Sequence, residues 1–213
     1  MANTSRINGF RPVKHITGAP YNWQANVYAV SSSNGTAIFV GDTVKLAADG
    51  NTDGYQFVVG HAAGVAGTGQ AALGVVVGII PSKLDPITGK LTNGSTALDT
   101  PQYIPASTAG YVLVCDSPDV LYEVEATNAG GSYSFAVADI AQNCNVYAGA
   151  GSTTSGVSAY SADLNDKGTT ATLPFKIWGV IQKVGNEVTG NYTKILVQIN
   201  NHQYKGGTGT AGL

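Results

Sequence analysis

Charge is what this sequence has least of. Only 11% of its 213 residues are Asp, Glu, Lys or Arg, against the quarter usual for a soluble domain. The formal net charge of −2 gives no general attraction to nucleic acid or to an anionic membrane. Histidine occurs three times and cysteine twice, so the donors from which zinc sites are built are scarce. His15, His61 and His202 stand apart, with no H-x-x-x-H or C-x-x-C spacing, and no metal centre is predicted. No G-x-S-x-G elbow occurs. The glycine-rich stretches GHAAGVAGTGQ and GAGSTTSG lack the Gly-Lys-Ser/Thr ending of a phosphate loop. The longest apolar run, ALGVVVGII, is too short to span a bilayer. The first twenty residues hold no apolar core of a signal peptide. The expectation is a chain without catalytic residues, cofactor or metal.

What is abundant is glycine, 28 residues, together with Ser, Thr, Asn and short β-branched runs. Strands are predicted at NVYAV (26–30), TAIFV (36–40), TVKLA (43–47), YQFVV (55–59), LGVVVGII (73–80), YVLV (111–114), VLYEVEA (120–126), KIWGVIQKV (176–184) and TKILVQIN (193–200). In TKILVQIN, Ile195, Val197 and Ile199 alternate with polar residues. In VLYEVEA, Glu123 and Glu125 alternate with Tyr122 and Val124, which predicts one wet face. Trp178, inside an apolar strand, is expected in the core. Short strands at this density, without repeated helices, indicate an all-β fold, an antiparallel sandwich or barrel of jelly-roll-like kind. One helix of two or three turns is expected within 132–149, where Phe135, Val137, Ile140 and Cys144 fall at loosely helical spacing. Cys115 is expected buried on a strand and Cys144 in that helix, both as free thiols. Asp116 and Asp119, flanking Pro118, are expected in a turn rather than as a catalytic pair.

Three regions stand outside the strand pattern. Residues 82–102 and 149–172 read as long Gly/Ser/Thr loops inserted in a single β-rich domain of 26–204, and 205–213 as a flexible tail that frays. Residues 1–25 read as an extended arm. Residues 1–41 carry Arg6, Arg11 and Lys14 with no acid, whereas the rest carries eight lysines against thirteen acids. Fixing some twenty arm residues costs on the order of 20–40 kcal/mol of backbone entropy. The arm is therefore expected to be disordered alone and ordered on a partner or a neighbouring subunit. Arg6, Arg11 and Lys14 would supply charge, and Phe10, Tyr21 and Trp23 apolar anchors. Deletion of residues 1–22 is then expected to leave the core folded.

The phrases NGFRPVKHITGAPYN, PASTAGYVLVCDSPDVLYEVEA and LPFKIWGVIQKVGNEV…KILVQINNHQY together resemble the capsid decoration, or cement, proteins of tailed bacteriophages. The resemblance covers the start, middle and end of the chain. It implies a non-enzymatic β-rich protein, commonly a homotrimer, made in the host cytoplasm and seated on the outer capsid surface. Its partner would be the major capsid protein, with no nucleic acid and no membrane involved. The residues themselves also admit a phage tail, fibre or adaptor component, or a carbohydrate-binding β-sandwich using Trp23. No internal repeat of the kind fibres carry is apparent.

Overall fold

The computed structural model describes residues 3–61, 70–80, 101–205 and 209–212. It is all-β, and its strands form two small barrels. The first contains β2 (Asn26–Val30), β3 (Thr43–Gly50), β4 (Gln56–Gly60), β5 (Gly74–Ile80) and β6 (Gly110–Cys115), closed in the order β2-β4-β3-β5-β6. The second uses β7 (Val120–Asn128), β10 (Asn143–Tyr147), β11 (Ser161–Gly168), β12 (Phe175–Val180) and β14 (Lys194–Ile199). Its pairings run β7-β11-β10-β12-β14 and return from β14 to β7. Both rings are closed, each through a short parallel contact, one registered pair between β2 and β4 and two between β7 and β11. β1 (Arg11–His15) lies along β7, and the short β8 (Gly131–Ser132), β9 (Ser134–Phe135) and β13 (Gly190–Asn191) flank the second barrel.

The two barrels have the same topology. Numbering each barrel's strands in chain order, both run 1-3-2-4-5, with strand 5 closing on strand 1. In both, strands 1 and 3 are the one parallel pair. Both place a register shift just before a glycine on strand 4, between Val76 and Gly78 and between Ile177 and Gly179. Those glycines face Leu113 and Leu196, each followed by a valine. Val-x-Gly and Leu-Val in one repeat thus answer Ile-x-Gly and Leu-Val in the other. Such bulges bend a strand where a small barrel must turn sharply.

The barrels touch along their sides. Phe10 N–H donates to Gly41 O at 2.9 Å, and Leu46 N–H to the Gln203 side chain at 2.6 Å. Val40 bridges Val157, and Ala72 bridges His202. The approach at Gly9 requires glycine. Its φ is +72°, and a Cβ there would meet Gly41 O and Ser158 Cβ at 2.6 Å. Ala72, Val75 and Cys115 of the first barrel join the apolar core of the second.

Several expectations change. The segment 132–149 contains no α-helix. It forms β8, β9, a single 3-10 turn at Val137–Asp139 and β10. Val137 is 58% exposed, so the helical spacing did not mark one buried face, and Ala141 at φ +71° interrupts any helix. Cys144 lies on β10; both cysteines are free and buried. The loop expected at 149–172 holds β11, whose Ala162 and Leu164 point into the core while Asp163 and Asn165 stay outside it. The loop at 82–102 falls almost wholly outside the described residues. Trp178 is 47% exposed, because β12 turns Phe175, Ile177 and Val180 inward and sets the indole outside, donating to Gln198 Oε1 at 2.9 Å. In the tail, residues 209–212 are held rather than frayed: Asn143 donates to Thr210 O at 2.8 Å, and Thr210 N–H to Asn200 Oδ1 at 2.9 Å.

Candidate interaction surface

The N-terminal segment is built into the second barrel. β1 pairs antiparallel with β7, setting Arg11 opposite Glu123 and His15 opposite Val120. The chain then turns and folds back on β1: His15 N–H donates to Ala19 O at 2.8 Å, and Tyr21 N–H to Val13 O at 3.1 Å. Upstream, Ser5 and Arg6 cover Glu125. The Ser5 hydroxyl donates to Glu125 Oε1 at 2.9 Å and the Arg6 N–H to Oε2 at 2.7 Å, while Lys194 Nζ lies 3.2 Å from Oε2 and donates to Arg6 O at 2.5 Å. Asn3 continues the strap, accepting from Glu187 N–H at 2.7 Å. Glu125 is buried in consequence, so the face of β7 expected to be wet is covered at that position. Burial outweighs the attraction of Glu125 at Lys194 and lowers its pKa from the ordinary lysine value.

The six residues singled out in this segment divide. Phe10 is not a surface anchor: it is buried and stacks on Phe175 with centroids 4.7 Å apart. An aromatic beside the second barrel's core is more stable inside that core than on offer to a partner. Arg6 is tied through its backbone, and its side chain is exposed. Tyr21 is half-buried, its hydroxyl donating to Gln24 O at 2.9 Å. Arg11, Lys14 and Trp23 are exposed. Arg11 and Trp23 line one cleft, and Tyr21 lies beside Trp23.

Trp23 is the outlier among them. It is 77% exposed and its φ is +63°, a conformation that bulky residues rarely adopt. Its ring lies 6.0 Å from that of Tyr21. Beside it a cleft of about 580 Å³ opens between the barrels, with Val40, Val76 and Val77 from one side and Phe10 and Val13 from the other. Arg11 and Glu123 also line it. Among the described residues neither takes part in an ion pair. Val13 and Val157 were not singled out in the sequence, and Glu123 only as part of a wet strand face, since the cleft exists only once β1 is laid on β7 and the first barrel is set beside it.

The remaining polar groups hold structure. Asp116 accepts from Asn26 and from the Tyr28 hydroxyl at 2.7 Å, and Pro118–Asp119 make the expected turn. Asp139 is buried, paired with Lys167 and accepting from the Tyr133 hydroxyl at 3.0 Å. Asp42 is buried with Oδ1 unpartnered among the described residues, and burial pushes its pKa up to about 7. His61 is buried too, and burial lowers its pKa to about 4. Burial likewise raises both thiols, which leaves them protonated and unreactive. No group of three or more metal-ligating side chains occurs among the described residues.

Compared with protein-family models, with curated proteins and with solved structures, the chain matches none.

Proposed function

We propose that this chain is a non-enzymatic structural protein of a tailed-phage virion, seated on the outer surface of the capsid and stabilising the shell by bridging neighbouring capsomers. The observation that carries the reading is the face around Trp23: an exposed, left-handed tryptophan beside Arg11 and an apolar cleft. Tryptophan, tyrosine and arginine are the residues that dominate protein interfaces. The resemblance of its phrases to those of decoration proteins directs the reading towards the capsid. Among the described residues, buried Glu125, Asp139 and His61 are used in packing, which suits a protein that acts by binding.

The mechanism follows from mass action. A protein that binds the mature shell and not its dissociated parts stabilises the shell by the free energy of binding. Contacts to two capsomers at once make the second contact effectively intramolecular, so each can be weak. The test is the copy number of the chain in purified particles relative to the major capsid protein, by quantitative mass spectrometry. A fixed simple ratio is expected. A handful of copies per particle would move the protein to the tail, and absence from particles would overturn the virion reading.

A further inference from the structure

We propose that the cleft beside Trp23 docks a second copy of this chain, the indole of each copy entering the cleft of the other and Arg11 of each pairing with the other's Glu123. The inference rests on the reading of this face as an interface and names its occupant, a second copy in place of the capsid, so that two capsomers would be bridged by the pair.

Three observations converge. The first is a knob: Trp23 projects with 77% of its surface exposed, at a φ of +63°. A left-handed backbone under a bulky side chain is strained, and such strain persists where the surrounding structure imposes it, often at functional sites. The second is a hole on the same face: the cleft of about 580 Å³, a size at which pockets take up ligand groups. Its floor is apolar, made by Phe10 and Val76, both about 1% exposed. The third is a pair of opposite charges. Arg11 and Glu123 face each other across β1 and β7 and both line the cleft, yet neither is in an ion pair among the described residues.

These features select a copy over other partners. An acidic partner would be drawn by Arg11 and opposed by Glu123; a basic one meets the reverse. A second copy placed about a two-fold axis satisfies both at once, since in an isologous contact residue i meets j and j meets i. Knob, hole, cation and anion all lie on one face, which is the condition for self-complementarity. Tyr21, beside Trp23, supplies a further aromatic at the rim.

Sedimentation equilibrium on the full chain at micromolar concentration tests this. The expected mass is twice the 21.8 kDa of one chain. Trp23→Ala should weaken association by at least about tenfold, as loss of a tryptophan hot spot does. Arg11→Glu and Glu123→Arg should each weaken it by about tenfold or more, and the two changes together should restore it. Near-ultraviolet circular dichroism confirms that each variant is folded. A monomer, a trimer, a dimer indifferent to Trp23→Ala, or a charge swap that fails to restore association would each overturn the proposal. The outcome is separable from the virion reading: a monomer present in fixed ratio on particles sinks only the dimer, and a dimer absent from particles sinks only the virion role.

Discussion

The two barrels share a strand order, a parallel pair and a bulge, yet they are filled differently. The first is packed with Val30, Val44, Val58, Val76, Val112 and Val114 around Ile38 and Leu73. The largest fully buried side chains among the described residues, Tyr122, Phe10, Phe135 and Phe175, all belong to the core of the second, whereas the first has one large aromatic, Tyr28, at 6% exposed. Two of these come from outside the five barrel strands: Phe10 from the N-terminal segment and Phe135 from β9. Backbone pairing and the glycine bulges set the topology, while the volume inside is met by whichever side chains reach it. Cores tolerate such differences as long as total volume is filled.

That difference can be broken most strongly at Phe10. Phe10→Ala should cost about 3–5 kcal/mol, the usual range for a buried phenylalanine. Val58→Ala in the first barrel should cost about 1.5–2.5 kcal/mol, at roughly 0.8 kcal/mol per methylene plus a small cavity. Urea unfolding at unchanged m-value measures both. Equal losses would mean that Phe10 contributes no more to the second core than one valine does to the first. Removing residues 1–22 takes Phe10 and β1 together, so it should destabilise the fold rather than leave it intact. This reverses the expectation drawn from charge and entropy alone.

The barrels also differ in how they keep a buried acid. In the second, Glu125 and Asp139 meet Lys194 and Lys167. At the start of β3 in the first, Asp42 has no cation among the described residues and its pKa rises from 3.8 to about 7. A raised folded-state pKa means that its stabilising contribution is complete below about pH 4 and lost as pH rises through about 7. His61 acts in the opposite sense. Its pKa falls from 6.5 to about 4, so its contribution is complete above about pH 6.5 and lost as pH falls through about 4. Between these limits the two offset each other. Asp42→Asn should abolish the loss between about pH 4 and 7, which is on the order of 2–4 kcal/mol. It should also uncover the His61 dependence as a rise in stability from about pH 4 to 6.5. Melting temperatures across pH 4–8 report both, and a parallel profile for variant and parent would refute the assignment to Asp42.

Much of this architecture was readable beforehand, for a physical reason. Strands that bury one face with β-branched residues announce themselves, as Ile195, Val197 and Ile199 do. β11 did not, because only Ala162 and Leu164 mark its buried face among Asp163, Asn165, Asp166 and Lys167. Nor did β10, where buried Asn143 and Asn145 break any apolar period and pairing with β11 and β12 decides the conformation. The repeat was hidden because its trace is two residues of register at a bulge rather than a run of identities. At the candidate surface, Arg11, Lys14 and Trp23 stood out by type. The inward turn of Phe10 depends on Phe175, 165 positions away, and no local signal encodes it.

The finest comparison lies at one cross-strand pair. Aligning the bulges makes Tyr111 correspond to Lys194, and their partners across the sheet are Ala29 and Glu125. The same site is thus uncharged in one barrel and ionic in the other. What distinguishes the ionic one is the strap: Glu125 accepts from the Ser5 hydroxyl and the Arg6 N–H as well as facing Lys194. Glu125→Gln keeps the shape and one acceptor but removes the charge, and should cost about 1.5–3 kcal/mol, the worth of hydrogen bonds to a charged group. Replacing both partners, with Glu125→Ala and Lys194→Met, removes the buried charges together and should cost less than the sum of the single changes. The double variant still lacks an acceptor for Ser5 and Arg6, so its first residues should become the site of fastest amide exchange while the barrel stays protected. If exchange at residues 5 and 6 is unchanged in the double variant, Glu125 does not hold the strap. The pair would then be only a charged substitute for the alanine and tyrosine of the other barrel.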